Sequence, residues 1–544
     1  MAPHDHTPWP PQDAARYRAT GHWRGETLPA ALRRSASTHP HRTALVADGT
    51  RWTFAELHAA ARRAAGGFAA LGLRPGDRVV VQLPNVAELV QVLYGTLYAG
   101  LVPVVALPSH REQEIRSFVR QTGAAAYVVP DRHLGFDHRP LGEALAAETG
   151  LRLVVVGEPR TAGIAFDDLI ASVDSEHVPV DRAPSDLALL QVSGGSTGEP
   201  KLIPRTHDDY VLTARACAAA CGLTSDDVYL AALPATHNFP LVSPGVIGAH
   251  LTGASVVLAP APSPDVCFDL VADERVTVTS LVPPVLLAWL GAPRARERLA
   301  SLRLLQVGGA KCSAAVARRV RPELGTTLQQ MFGMAEGLIC CTRADDPDEV
   351  VEHTQGRPVC ADDEVLVVDD DDRPVPAGTP GHLLVRGPYT IRGYYRAPEH
   401  NRNAFTADGW YRTGDVVAIR PDGNLVVEGR AKDQINRGGE KIAAEEVENA
   451  LLTHERVHDA VLVAEADEYL GERTCAFVVP TDAADVDDAT LARELRAHVR
   501  RSGLAAYKVP DRVVVVGALP TVGIGKNSRR DLRRALASQI LATA

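Results

Sequence analysis

Nine consecutive residues, Ser193-Gly194-Gly195-Ser196-Thr197-Gly198-Glu199-Pro200-Lys201, concentrate the chemistry of anion binding more than any other stretch of the sequence. Their glycines let the backbone fold tightly around an anion, and their hydroxyls and terminal lysine supply donors and positive charge. A polyphosphate suits such a loop. The spacing does not match Gly-x-x-x-x-Gly-Lys-Ser/Thr, so this is not the common P-loop. Taken alone, the segment also reads as a flexible Gly/Ser surface loop.

Three further segments add complementary groups. Met331-Phe332-Gly333-Met334-Ala335-Glu336 follows a predicted strand and sets a carboxylate just past a glycine turn, suited to holding Mg2+ against phosphates. Tyr411-Arg412-Thr413-Gly414-Asp415 ends in a carboxylate able to accept from two ribose hydroxyls. Pro520-Thr521-Val522-Gly523-Ile524-Gly525-Lys526 presents a lysine on a glycine-rich loop. Each alone also fits a solvated surface residue. Their combination, in this order along one chain, points to nucleotide chemistry.

The elements that must carry these groups alternate. Leu187–Val192, Val79–Leu83 and Val102–Leu107 read as buried strands and Val86–Tyr98 as a helix. Strand signals recur at Leu153–Val156, Ser255–Leu258, Val276–Leu281 and Leu302–Val307, the last running into Gly308-Gly309. This rhythm predicts an α/β protein with largely parallel sheets. A polar, glycine-containing and charged stretch, Gly429–Lys441, breaks the pattern and reads either as a plain linker or as a hinge. A new pattern follows: helix Ala444–Leu452, strands Ala460–Ala464 and Cys475–Val479, and helix Ala489–Ser502. The boundary between a large domain and one of about 110 residues is placed here. The first thirty residues, rich in Pro, His and Trp, are expected to wrap the surface.

Composition narrows the class. A chain of 544 residues exceeds what one core usually supports, so at least two domains are expected. The formal net charge of −10 argues against nucleic acid as the main partner. No apolar run is long enough to span a bilayer, and Met1–His6 lacks the start of a secretory signal. The eight cysteines lack zinc-site spacing; reduced thiols and a cytoplasmic location are expected, with Cys340 and Cys341 on opposite faces of a strand.

In combination the four motifs resemble those of the adenylate-forming superfamily of acyl-CoA synthetases, peptide-synthetase adenylation domains and luciferases, and the similarity spans essentially the whole chain. It implies a large N-terminal domain of packed sheets and helices (residues 1–430), a small mobile α+β C-terminal lid (433–544) and a hinge at 431–433, with Lys432 at the pivot. The implied reaction has two half-steps. A carboxylate and ATP give an acyl-adenylate and pyrophosphate, and a thiol then takes the acyl group. Within the superfamily the chain is most similar to the stand-alone aryl-acid ligases that start catechol or phenol siderophores and related peptides. Tyr17–Leu28, His237–Gly245, Gln306–Lys311 and Phe332–Leu338 carry that likeness.

The resemblance also implies roles. Ser193, Gly194, Gly195, Ser196, Thr197, Gly198 and Lys201 would close over the β- and γ-phosphates. Gly309, Ala310, Met331, Phe332 and Gly333 would hold the adenine, Glu336 the Mg2+ ion, and Asp415 the ribose with Arg430 nearby. Lys526 would reach the carboxylate and α-phosphate, and makes up the catalytic set with His237, Glu336 and Lys441. The aryl acid would lie among His237, Asn238, Phe239, Ser243, Gly308, Gly309, Ile339 and Cys341, with His237 gating the pocket.

Amino-acid-activating members carry Asp where this chain has Asn238. A neutral amide suits a phenol hydroxyl without burying an unpaired charge, although Asn238 alone also fits a turn before Pro240. Ser243, where salicylate enzymes tend to have Cys, favours 2,3-dihydroxybenzoate. Ala335 departs from the superfamily's usual Thr but matches the aryl-acid branch. Cys340-Cys341 stands where many aryl-acid ligases have Asn-Tyr, which keeps salicylate, 3-hydroxypicolinate and hydroxyanthranilate as alternatives. No Leu-Gly-Gly-x-Ser-Leu site follows Lys526, so the expected acceptor is the phosphopantetheine of a separate aryl carrier protein, with free CoA as the alternative. A non-catalytic nucleotide-binding paralogue would have no physical reason to keep Glu336, Asp415, Lys432 and Lys526 together. No membrane or nucleic-acid partner is expected.

Overall fold

Side-chain alternation along the strands sorts the N-terminal part of the chain into layers. The computed structural model describes residues 6–173, 178–193, 200–437, 440–467, 470–481, 487–502, 504, 506–523 and 525–543. In strand Arg78–Val81, Val79 and Val81 face one core and Val80 faces another. In strand Ser255–Leu258, Val256 and Leu258 face the first of these and Val257 faces a third. Period-two alternation of uniformly apolar residues is what a sheet covered on both faces requires.

Two large sheets result. The first has nine strands in the order 357–358, 339–341, 327–333, 304–307, 278–281, 228–231, 255–258, 43–47 and 50–53, parallel except at its edges. The second has seven, in the order 202–206, 187–192, 102–105, 78–81, 126–130, 152–156 and 164–165. Helices Phe54–Ala70, Ala87–Tyr98, His207–Ala220 and Gly245–Thr252 fill the layer between the sheets. Helices Pro264–Glu274, Pro283–Leu290 and Ala314–Leu324 cover the outer face of the first sheet; Glu112–Thr122 and Arg139–Thr149 cover that of the second. An antiparallel sheet of four strands, 364–368, 381–386, 411–419 and 425–430, completes this part.

After the short 3-10 turn Ala431–Asp433 comes a separate core. Strands Ile435–Arg437, Glu440–Ile442, Val457–Asp467, Gly471–Pro480 and Arg512–Val515 form a mixed sheet. Helices Ala444–Leu452 and Asp488–Arg501 pack on one face, and Arg529–Thr543 on the other through Leu532 and Leu536. The α/β class and the parallel sheets agree with the sequence pattern.

One expectation needs correcting. The first thirty residues do not simply wrap the surface: Trp9, Tyr17, Trp23 and Leu28 are buried. Trp9, Tyr17 and Trp23 share a cluster with Phe239, Met331, Ile339 and Cys341, and the two indoles donate to the carbonyls of Gly387 and Pro388. Large aromatic rings with a polar tip gain most when the ring is buried and the N–H is matched, and both conditions are met here. All eight cysteines are buried free thiols, with Cys340 and Cys341 in different cores. Among the described residues no helix is long and apolar enough to cross a membrane.

Asn85 joins the two sheets. Placed just after strand Arg78–Val81, it sets its Nδ2 within 3.1 Å of the carbonyls of Ala231, Leu233 and Ala259, and its Oδ1 accepts from Ala235 N at 2.7 Å. It thereby fixes the chain between strand Val228–Ala231 and His237. Asn85→Ala leaves these buried groups unmatched and should cost on the order of 3 kcal/mol in a urea melt. A loss within experimental error would show that water replaces the amide.

Candidate active site

The candidate residues gather where the parallel strands of the nine-stranded sheet end, outside their carboxyl termini, which is where open α/β sheets bind ligands. Strand Val228–Ala231 leads to His237, which caps helix Asn238–Val242: its Nδ1 accepts from Phe239 N at 3.2 Å. Strand Leu304–Val307 leads to Gly308, Gly309 and Ala310, the last two exposed to the cleft. Strand Thr327–Gly333 itself contains Met331, Phe332 and Gly333, so the Glu336 motif begins inside a strand rather than after one. On the neighbouring sheet, Ser193 follows strand Leu187–Val192. Its N–H donates to the Lys201 carbonyl at 2.9 Å, and Lys201 N donates back to Ser193 Oγ at 3.0 Å. Gly194, Gly195, Ser196, Thr197 and Gly198 lie outside the described residues.

The C-terminal part contributes Lys526. It stands on a two-stranded hairpin, Thr521–Val522 with Lys526–Asn527, and its side chain rests on Gly309. A Cβ on Gly309 would meet Lys526 Cε at 2.9 Å and Nζ at 3.5 Å, and the backbone there has φ +80°, so glycine is required twice over. Glu336, Asp415 and Arg430 are the charged groups acting on the ammonium. Burial, followed by repulsion from Arg430, pulls its pKa down to about 8, against attraction by Asp415 and Glu336.

The carboxylates are held from behind. Tyr394 donates to Glu336 Oε1 at 2.7 Å, and the Tyr394 and Tyr411 hydroxyls are 2.9 Å apart. Asp415 and Arg430 face each other across adjacent strands and form an ion pair at 2.8 Å. Asp415 N donates to Thr413 Oγ1 at 3.0 Å, while Arg430 Nη1 donates to the Thr413 carbonyl at 3.1 Å. Asp415 Oδ2 is buried with no partner, and burial raises the carboxyl pKa despite Arg430. An orphaned acceptor of this kind fits a ligand hydroxyl.

On the other side of Gly308, the Phe239 ring lies 3.1 Å from where a Cβ on that glycine would be. Phe239, Ile339, Met331, Cys341 and Cys217 share one apolar cluster, and the buried Ser243 hydroxyl lies beside the Cys217 thiol. Burial, with help from Lys526, lowers the His237 pKa to about 3, so the imidazole is neutral, with its proton on Nε2 because Nδ1 accepts. Asn238 is buried, and its Oδ1 accepts from Tyr210 at 3.0 Å. Lys441 and Lys432 have their backbones on strand Glu440–Ile442 and turn Ala431–Asp433; their side chains lie outside the described residues.

Sequence reasoning passed over Tyr394 and gave Tyr411 no role. In a chain with 5% aromatic residues, adjacent tyrosines in the polar stretch Thr390–Arg396 are a signal that was available. It also missed Arg205 and Tyr210, which stand behind the site.

A layered α/β body and a smaller α+β unit that lends one lysine to the Glu336, Asp415 and Arg430 cluster are the parts of an adenylate-forming enzyme. The chain belongs to the AMP-binding enzyme family, whose model matches residues 32–395, with the AMP-binding enzyme C-terminal domain matching 446–526. It is 51% identical to the 2,3-dihydroxybenzoate-AMP ligase of Bacillus subtilis (strain 168), over 98% of both chains. It is 47% identical to the salicyl-AMP ligase / salicyl-S-ArCP synthetase of Mycobacterium tuberculosis (strain ATCC 25618 / H37Rv), over 97% of this chain and 94% of that one. Among solved structures, apo MbtA of Mycobacterium smegmatis superimposes with a TM-score of 0.76 at 46% identity, covering 97% of this chain and 98% of the other.

The lysine environment is directly measurable. Without nucleotide, the Lys526 ammonium should titrate near the value of about 8 in a lysine-labelled NMR experiment. Arg430→Gln removes a positive neighbour and should move the titration upward. An ordinary lysine titration in the wild type would mean that Lys526 does not rest in this cleft.

Proposed function

We propose that this protein activates an aryl carboxylic acid with ATP, 2,3-dihydroxybenzoate being favoured, and passes the acyl group to the phosphopantetheine thiol of a separate aryl carrier protein. This places it in siderophore or related peptide biosynthesis. The observation that carries the reading is the pairing, across Gly308 and Gly309, of a charged cluster suited to a nucleotide with an apolar pocket whose buried polar reader, Asn238, is neutral. The 2,3-dihydroxybenzoate and salicylate ligases among its relatives support the substrate class.

ATP would lie with its ribose at Asp415, whose free Oδ2 is matched by a hydroxyl, and its adenine against Gly309–Ala310 and Met331–Gly333. Its phosphates would reach Lys201 and the loop that begins at Ser193. No group of three or more His, Cys, Asp or Glu among the described residues makes a metal site by itself. One carboxylate from Glu336 plus phosphate oxygens and waters is what Mg2+ takes, and the ion would neutralise phosphate charge when bound. Tyr394 holds Glu336 Oε1 and leaves the second oxygen free for that purpose.

In the first half-step a carboxylate oxygen attacks the α-phosphorus, the bond to pyrophosphate breaks, and negative charge grows on the α-phosphate oxygens. Lys526 is placed to offset that charge, which stabilises the transition state more than the ground state. In the second, the carrier thiol attacks the acyl carbon and AMP leaves. Lys432 is the proposed pivot for the rearrangement between them, and Lys441 the proposed contribution of the C-terminal unit to the second step.

Ser243 is proposed to read the ring. Its hydroxyl has one donor and two acceptor sites, so its place beside the Cys217 thiol leaves capacity for the substrate's 3-hydroxyl. In a pyrophosphate-exchange panel, 2,3-dihydroxybenzoate should exceed salicylate in kcat/KM by about ten- to a hundredfold, and Ser243→Cys should shift the ratio toward salicylate. Activity with none of the hydroxylated benzoates would overturn the aryl reading; an unchanged ratio in the variant would remove Ser243 from it.

A further inference from the structure

The orientation of the Asn238 amide is set from behind by residues far away in the sequence. Gln191 Nε2 donates to the Tyr210 hydroxyl at 3.1 Å, and that hydroxyl donates to Asn238 Oδ1 at 3.0 Å. All three residues are buried, so these bonds form without competition from water. Arg205 packs beside the relay. Its guanidinium stands 5.0 Å from the Tyr210 ring centroid, and is held by Asp209 at 2.6 Å and Thr213 at 3.1 Å. The carbonyl end of Asn238 is therefore taken. Its Nδ2, which has no partner among the described residues, is the end left for a ligand.

We propose that Tyr210 is a positioning residue for substrate choice: by occupying Oδ1 it makes Asn238 a pure donor, so the site takes aryl acids with a hydrogen-bond acceptor ortho to the carboxylate and rejects those with an amino group there. The inference rests on reading Asn238 as the residue that meets the ortho position. An ortho hydroxyl turns its proton toward the neighbouring carboxylate and leaves a lone pair facing outward. A ring nitrogen presents a lone pair in the same direction. An ortho amino group differs. Its lone pair is drawn into the ring, and its second N–H meets the Asn238 donors, leaving both sides unmatched. 2-Aminobenzoates then fail although they match the hydroxybenzoates in size, and hydroxyanthranilate leaves the set of alternatives.

The test compares isosteric pairs, salicylate with anthranilate and 2,3-dihydroxybenzoate with 3-hydroxyanthranilate, by pyrophosphate exchange. Each preference is a ratio of kcat/KM within one preparation, which cancels the folded fraction of any variant. The wild type should prefer the hydroxy acid by about ten- to a hundredfold. Tyr210→Phe removes the hydroxyl alone, frees the amide to turn its oxygen toward an amino group, and should shrink that preference by about tenfold. Wild-type use of the amino acids within about twofold of the hydroxy acids, or a preference unchanged by Tyr210→Phe, would overturn the proposal. Asn238→Ala separates the two layers of the reading. It should abolish the preference for salicylate over benzoate, and if it does not, the ring-facing role of Asn238 is what fails.

Discussion

The site depends on one contact: the Lys526 side chain laid against the bare Cα of Gly309. Two folding units with separate cores meet there, the N-terminal one bringing Glu336, Asp415 and Arg430 and the C-terminal one the ammonium. The contact is costly in the free protein, because an ammonium is partly desolvated beside Arg430 and its pKa falls to about 8. Negative charge from nucleotide phosphates would reverse that cost. A pose that is uneasy alone and favourable with ligand suits the two-step reaction proposed above, in which the same lysine would leave after the first step.

The surrounding interface has the same character. Glu445, at the start of helix Ala444–Leu452, packs against Gly429 with one carboxyl oxygen unmatched, and burial raises its pKa to about 7. Arg533 pairs with Asp433 at 2.8 Å beside the turn that joins the two units. Polar contacts of this kind hold a geometry without the large apolar area that would lock it. By contrast, the aryl side is built from deeply buried parts. Phe239, Met331, Ile339 and Cys341 share a cluster with the N-terminal aromatic residues Trp9, Tyr17 and Trp23, so the two halves of the cleft differ in how they are held.

Much of this was legible in the sequence. Apolar runs such as Ser255–Leu258 and Leu187–Val192 match their strands, and helix Ala444–Leu452 is as read, because periodicity and length decide such elements locally. The motif residues Glu336, Asp415, Arg430 and Lys526 lie together in the fold. What the sequence hid lies in long-range pairing. Tyr394 reaches Glu336 across 58 positions, and Trp9 meets Gly387 across 378. The adjacent tyrosines Tyr394-Tyr395 mark the stretch, but nothing local names the partner, since a tyrosine that orients a carboxylate can have the same neighbours in sequence as one that fills a core. The Asn238 amide shows the same limit: its residue type argued for a neutral reader, but the end it presents is set by Tyr210, which is 28 positions away.

The central claim is that Lys526, in the pose seen here, serves the first half-step and not the second. Rapid-quench measurement of the two half-reactions with Lys526→Ala tests it directly, using ATP and aryl acid for one and a presynthesised aryl-adenylate with carrier thiol for the other. Adenylate formation should fall by about a hundredfold or more, the scale of one lost charged contact in the transition state, while acyl transfer stays near the wild-type rate. Equal losses in both half-reactions would contradict the account.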